Sequence, residues 1–163
     1  MSTAARSRLI EVIRARSLSV GPQMKLASGG TTTFYFDMKR TMFDPEGIDL
    51  IGELVLDAVL GTEAEFVGGL EMGAVPIAIA VAMKSQARGT RRLGSFFVRK
   101  EVKDHGSRRL IEGLAEGESL KGRPVAVLED VTTTAGSAMK AIGALREAGA
   151  RIVGVVTVVD RLE

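Results

Sequence analysis

The sequence predicts an α/β protein: a central parallel sheet flanked by helices on both faces. Three observations lead there. The most apolar segments, PVAVLE (124–129) and RIVGVVTVV (151–159), are continuous Val/Ile-rich runs, as strands covered on both faces require. Helical patterns at 74–84 and 137–148 alternate with such runs through the second half of the chain. A length of 163 residues, without internal repeat or low-complexity linker, is most simply one domain, able to bury roughly 70% of its unfolded surface.

The elements follow in order. Residues 3–17 carry Ala5, Leu9, Ile10, Val12 and Ile13 among arginines, the pattern of an amphipathic helix, and Gly21-Pro22 is expected to end it. Residues 23–27 and 33–38 read as two short strands around the turn SGGT. Asp44 is expected to cap a second helix with Pro45 at its first position, running to about Leu60 and stopping at Gly61. A strand at 64–68 leads through the loop GLEMG into the apolar helix 74–84, which accepts Pro76 only in its first turn. A strand at 93–98 precedes a polar, glycine-containing segment, 99–118. The buried-type strand 124–129, the helix 137–148 ending at Gly149, and a second buried strand at 151–159 complete the series. In such sheets ligands bind at the carboxyl ends of the strands. GLEMG, VRKEVKDHG, EDVTTTAGS and VDR are therefore expected to meet on one edge.

Composition narrows the function classes. The chain has no cysteine, so neither a disulfide nor a thiolate metal site is available. The first 20 residues carry charges throughout and do not read as a signal peptide, and no apolar run approaches the ~18 residues of a membrane span. A cytoplasmic location is expected. The net charge of +2 is too small to argue for a nucleic-acid partner, so any functional basic cluster must be local. Nineteen glycines against four prolines suit tight turns and phosphate-binding loops alike.

The sharpest signal is VLEDVTTTAGSA, residues 127–138. After an apolar run come two acids, Glu129 and Asp130, then Thr132, Thr133, Thr134, Gly136 and Ser137, with a helix starting near Ser137. Successive backbone N–H groups, hydroxyls and a helix N-terminus form a cradle for an anion such as phosphate. The acids would repel that phosphate and suit vicinal ribose hydroxyls instead, since each carboxylate accepts several hydrogen bonds. A sugar phosphate satisfies both halves. A capped helix with solvated acids is the plainer alternative, made less attractive by two adjacent acids and four hydroxyls within nine residues.

This stretch resembles the 5-phosphoribosyl 1-diphosphate (PRPP) motif of the type I phosphoribosyltransferases. The resemblance implies that family's fold, with a hood of segments (here about 20–40) over a core (about 41–163). It also implies Mg²⁺-assisted attack of a base nitrogen on ribose C1, with PRPP held by Glu129, Asp130, Val131, Thr132, Thr133, Thr134, Ala135, Gly136 and Ser137. Mg²⁺ is expected on phosphate, ribose and water oxygens, with no dedicated protein ligands. VRKEVKDHG (98–106) closely resembles the mobile loop of the orotate phosphoribosyltransferases. By that resemblance Arg99, Lys103 and His105 reach the diphosphate in the neighbouring subunit of a homodimer and Lys100 serves its own site; with Asp130 they are the expected catalytic residues. Cations closing on a leaving diphosphate stabilise the transition state more than the ground state.

Three further segments complete the expected site. GGLEMGAVPIA (68–78) is similar to the family's diphosphate loop, here Glu71, Met72 and Gly73; some members carry lysine where this chain has Met72. LASGGTTTFYFDMK (26–39) resembles the hood, with Tyr35 and Phe36 expected against the orotate ring. Ala27 stands where many members have lysine, and Lys25 or Lys39 is the candidate substitute. Arg161 after VVD, together with Thr133, is expected to hold orotate, because guanidinium both stacks and forks onto carboxylate. Ala135 replaces a common glycine, and family members continue beyond VVDR with another strand. The implied reaction makes orotidine 5′-phosphate and diphosphate from orotate and PRPP. Two other readings stay open on the same fold: transfer to another base such as a purine, or a non-catalytic PRPP sensor.

Overall fold

The computed structural model describes residues 2–25, 31–101 and 110–162. Five strands form the main sheet, in the order β5–β4–β3–β6–β7: β3 (Phe66–Leu70), β4 (Gly94–Val98), β5 (Ile111–Glu112), β6 (Pro124–Thr132) and β7 (Arg151–Asp160). β4, β3, β6 and β7 run parallel, and the two-residue β5 pairs antiparallel with the end of β4. β5 lies inside the segment read from sequence as irregular; two residues are too few to show any alternation.

Alternate residues of the central strands feed two cores. Ala126 and Leu128 of β6 and Val67 of β3 join Ile51, Leu56 and Ile77, beneath α3 (Pro45–Leu60) and α4 (Ala74–Ala87). Val125, Val127 and Phe66 join Ala141, Ile142 and Leu145 of α5 (Gly136–Glu147) on the other face. This is the two-sided cover the apolar runs predicted. α3 begins as its sequence requires: Asp44 accepts a hydrogen bond from the Gly47 amide at 2.9 Å, and Pro45 opens the helix. Pro76 falls in the first turn of α4, where its missing N–H costs nothing.

Expectations for α1 and for β7 are corrected. α1 (Thr3–Arg16) is ended by Ser17, and Gly21-Pro22 lies within the next strand, β1 (Leu18–Lys25). The pairing of β1 with β2 (Thr31–Phe36) shifts register between Val20 and Met24, and such an irregularity tolerates proline. Ser17 is fully buried, its Oγ 2.6 Å from Thr41 Oγ1, so the helix ends against the core. Ile10, expected on the buried face of α1, is 42% exposed. The second correction concerns β7. It was expected to be buried but, among the described residues, is an edge strand with no fully buried residue, partnered only by β6. Val153, Val156, Val158 and Val159 pack part-buried against the first core, and Ile152 against the second.

The β1–β2 hairpin is tied down at its exit. The Asp37 amide donates to Ser17 O at 2.9 Å, and Met38 and Met42, at the two ends of the short helix α2 (Lys39–Met42), are buried in the core. No helix among the described residues is long and apolar enough to cross a membrane.

Candidate active site

The β3–α4 turn, the start of the segment after β4, the end of β6 and the start of α5 converge on a cavity of about 230 Å³. Glu71, Lys100, Glu129, Asp130, Ser137 and Lys39 supply its polar lining. Sequence reasoning placed the first five at the site. Lys39 it named only as a substitute, because the closure of the hairpin over the sheet edge cannot be read from one strand.

β6 extends three residues further than expected, so Glu129, Asp130, Val131 and Thr132 are strand residues and the two acids lie on alternate sides. Glu129 is buried and accepts a hydrogen bond from Thr132 Oγ1 at 2.9 Å. Burial raises its pKa above the ordinary carboxylate value, and hydrogen bonds from Thr132, Ser137 and the Ala138 amide oppose that rise. Asp130 instead lies against Gly73. A Cβ at Gly73 would come within 2.4 Å of Asp130 Oδ1 and 2.6 Å of its Cγ. Gly73 has φ −57°, so glycine is needed here for space, not for backbone conformation.

The β3–α4 turn is held from the other side. The Glu71 amide donates to Val98 O at 2.8 Å, and the Lys100 amide donates to Glu71 Oε1 at 2.9 Å. Met72 is 56% exposed, and its peptide with Glu71 is cis. Ala135 adopts φ +58°, the left-handed conformation, and Gly136 and Ser137 then open α5 without a side-chain cap. Thr134, Gly136 and Ser137 are exposed. Thr133 is half-buried beside them.

Other expected residues are distributed differently. Arg99 turns away from the cavity; its guanidinium lies 3.5 Å from Glu112 on β5, and its amide donates to Leu110 O at 2.8 Å. Antiparallel pairing draws it to the sheet edge. Lys103, His105 and Ala27 lie outside the described residues. Arg161 follows β7, its amide donates to Thr132 O at 3.0 Å, and its guanidinium sits 4.9 Å over the ring of Phe34. Phe34 is thus the hairpin aromatic that meets Arg161. Phe34 and Phe36 share one side of β2 with their rings 6.0 Å apart, and Phe36 packs against the core. Tyr35 projects the other way and is 46% exposed. Strand alternation points Tyr35 and Phe36, both expected against one ligand ring, to opposite faces of β2.

Comparison with known proteins closes the question of kinship. No family model matches the chain. The orotate phosphoribosyltransferase of Bradyrhizobium diazoefficiens is 52% identical over 161 residues, 99% of this chain and 85% of the relative. A phosphoribosyltransferase from Corynebacterium diphtheriae superposes with a TM-score of 0.81 at 36% identity, covering 99% of this chain and 86% of that one. The Mycobacterium tuberculosis H37Rv orotate phosphoribosyltransferase, in a structure with PRPP, gives a TM-score of 0.73 at 31% identity over 98% and 78% of the two chains. The fold is therefore that of the type I phosphoribosyltransferases, and the chain belongs to the orotate phosphoribosyltransferases, enzymes of pyrimidine biosynthesis.

Proposed function

We propose that this chain transfers the phosphoribosyl group of PRPP to orotate at the cavity between the β3–α4 turn and β6. The observation that carries the assignment is the contact of Asp130 with Gly73, which brings a ribose-type carboxylate against a diphosphate-type turn. In the reaction the C1–O bond to diphosphate breaks and its electron pair leaves with the diphosphate. A bond from N1 of orotate to C1 forms, and the N1 proton passes to solvent. Glu129 and Asp130 hold the ribose hydroxyls. The turn from Thr132 to Ser137 binds the 5-phosphate through amides and hydroxyls. Glu71, Met72 and Gly73 offer backbone groups to the diphosphate. Arg161, which lies over the ring of Phe34, and Thr133 receive orotate.

Mg²⁺ belongs to this proposal. Mg²⁺ would be held by diphosphate, ribose and water oxygens and would offset the diphosphate charge; among the described residues no group of three or more acidic or histidine side chains forms a metal site. So does a homodimer in which Arg99, Lys103 and His105 serve the neighbouring site. The groove between α3 and α4, where Ile79 and Met83 are exposed beside Pro45 and Pro76, is the apolar surface offered to the second copy. A single domain over 1–163 and a cytoplasmic location complete the reading.

The test is loss of orotate absorbance in the near ultraviolet with PRPP and Mg²⁺, with adenine and hypoxanthine in parallel. Orotate is expected to be consumed and the purines not. PRPP binding without orotate turnover would overturn the assignment.

A further inference from the structure

Among the described residues, positive charge is scarce in the cavity. Glu71, Glu129 and Asp130 bring three carboxylates to its lining, and Lys39 and Lys100 bring the two amines. Met72 adds no charge on the diphosphate turn, although it is exposed there. Lys39 comes from the hairpin side. It opens α2 between Met38 and Met42, both buried, so its backbone is anchored while its side chain is 62% exposed. Its Nζ sits 2.8 Å from Asp37 Oδ1, and Asp37 also faces Arg40 Nε at 3.5 Å. The hydrogen bond to Asp37 raises the Lys39 pKa, opposed by burial, and Tyr35 and Asp130 add to the rise. The amine therefore stays charged at working pH. It shares the cavity lining with Asp130, at the proposed ribose.

We propose that Lys39, oriented by Asp37, is the hairpin-side cation that contacts the diphosphate of PRPP and supplies the charge that Met72 does not. This rests on the phosphoribosyl-transfer reading above. An ammonium has three N–H donors; one bond to Asp37 leaves two for phosphate oxygens. As the C1–O bond breaks, its electron pair becomes charge on the diphosphate, and a cation already in place stabilises that charge without reorganising. Asp37 acts through Lys39 and is a positioning residue.

The experiment compares wild type with Lys39→Met, Lys39→Arg, Asp37→Asn and the double variant Lys39→Met/Met72→Lys. PRPP binding in Mg²⁺ is measured by calorimetry, and KM for PRPP, for orotate and, in reverse, for inorganic diphosphate by absorbance. Lys39→Met is expected to weaken PRPP binding and raise KM for diphosphate by about tenfold to a hundredfold, the worth of one charged hydrogen bond. KM for orotate should move less than about twofold, and the unfolding midpoint should not move, as for an exposed side chain. Lys39→Arg should recover most of the affinity and Met72→Lys part of it, with Asp37→Asn intermediate. Unchanged PRPP and diphosphate affinity in Lys39→Met, or a loss confined to orotate, overturns the inference. Calorimetry reads it without orotate turnover, so failure of wild type to consume orotate would strike the proposed reaction alone.

Discussion

Ala135 holds φ +58° at the entrance to α5, where any residue with a Cβ costs about 1–2 kcal/mol. Replacing it by glycine removes that cost but returns about 0.4–1 kcal/mol of freedom to the unfolded chain. Ala135→Gly should therefore be as stable as wild type or up to about 1.6 kcal/mol more stable in urea. Ala138→Gly, buried inside the same helix, should lose about 1 kcal/mol or more. A clear loss in Ala135→Gly would show that the turn does not need the left-handed conformation. Glu129 poses a different conflict, between burial and function. Its raised pKa means that the folded state holds this proton more tightly than the unfolded chain. As pH climbs from the ordinary value of 4.5 through the raised value, the stability linked to Glu129 is lost, the reverse of Asp37 and Asp57, whose lowered pKa values cost stability as pH falls. Glu129→Gln should thus be more stable than wild type near neutral pH and about tenfold less active, having lost a charged acceptor for ribose. Urea curves at several pH values check the first part, and orotate consumption the second. Lower stability of the Gln variant throughout would mean that the hydrogen bonds from Thr132 and Ser137 outweigh burial.

At the scale of elements, the site depends on how closely the β3–α4 turn approaches β6. Gly73 allows that approach, and the Glu71 carboxylate on the Lys100 amide fixes the turn against β4. Gly73→Ala would force the Asp130 carboxylate to move, since contacts of 2.4 and 2.6 Å are untenable. The backbone itself can accept alanine, because φ is −57°. The expected result is a loss of turnover of about a hundredfold with an unfolding midpoint close to wild type. Wild-type turnover would show that Asp130 has a second acceptable position. Much at this scale was legible in sequence. The Asp44 cap, Pro45, Pro76 in a first turn and the strand-to-helix rhythm are local patterns, and each sits where its chemistry put it. One exception was Gly21-Pro22, read as a stop but used inside a strand at a register shift, because pairing with β2 outweighed local turn preference.

For the molecule as a whole, the open question is the second copy. Ile79 and Met83 are 51% and 68% exposed in the groove between α3 and α4, away from the cavity lining. Met83→Glu places a charge there. If this groove is the dimer face, the variant should sediment as a monomer, with turnover down about tenfold or more from the loss of a neighbour's cations. A dimer that survives the change would place the interface elsewhere.

The sequence by itself determined the layer architecture, the carboxyl edge as the place of chemistry, and the phosphate-and-acid character of residues 129–137, because these follow from apolar runs and adjacent residues. Only the tertiary structure decided which side chains share the cavity. Strand alternation set Glu129 apart from Asp130 and Tyr35 apart from Phe36. Antiparallel pairing with β5 took Arg99 to Glu112. Closure of the hairpin brought Lys39 to the cavity and Phe34 under Arg161. These are contacts between segments distant in the chain, fixed by packing and pairing, and no local pattern encodes them.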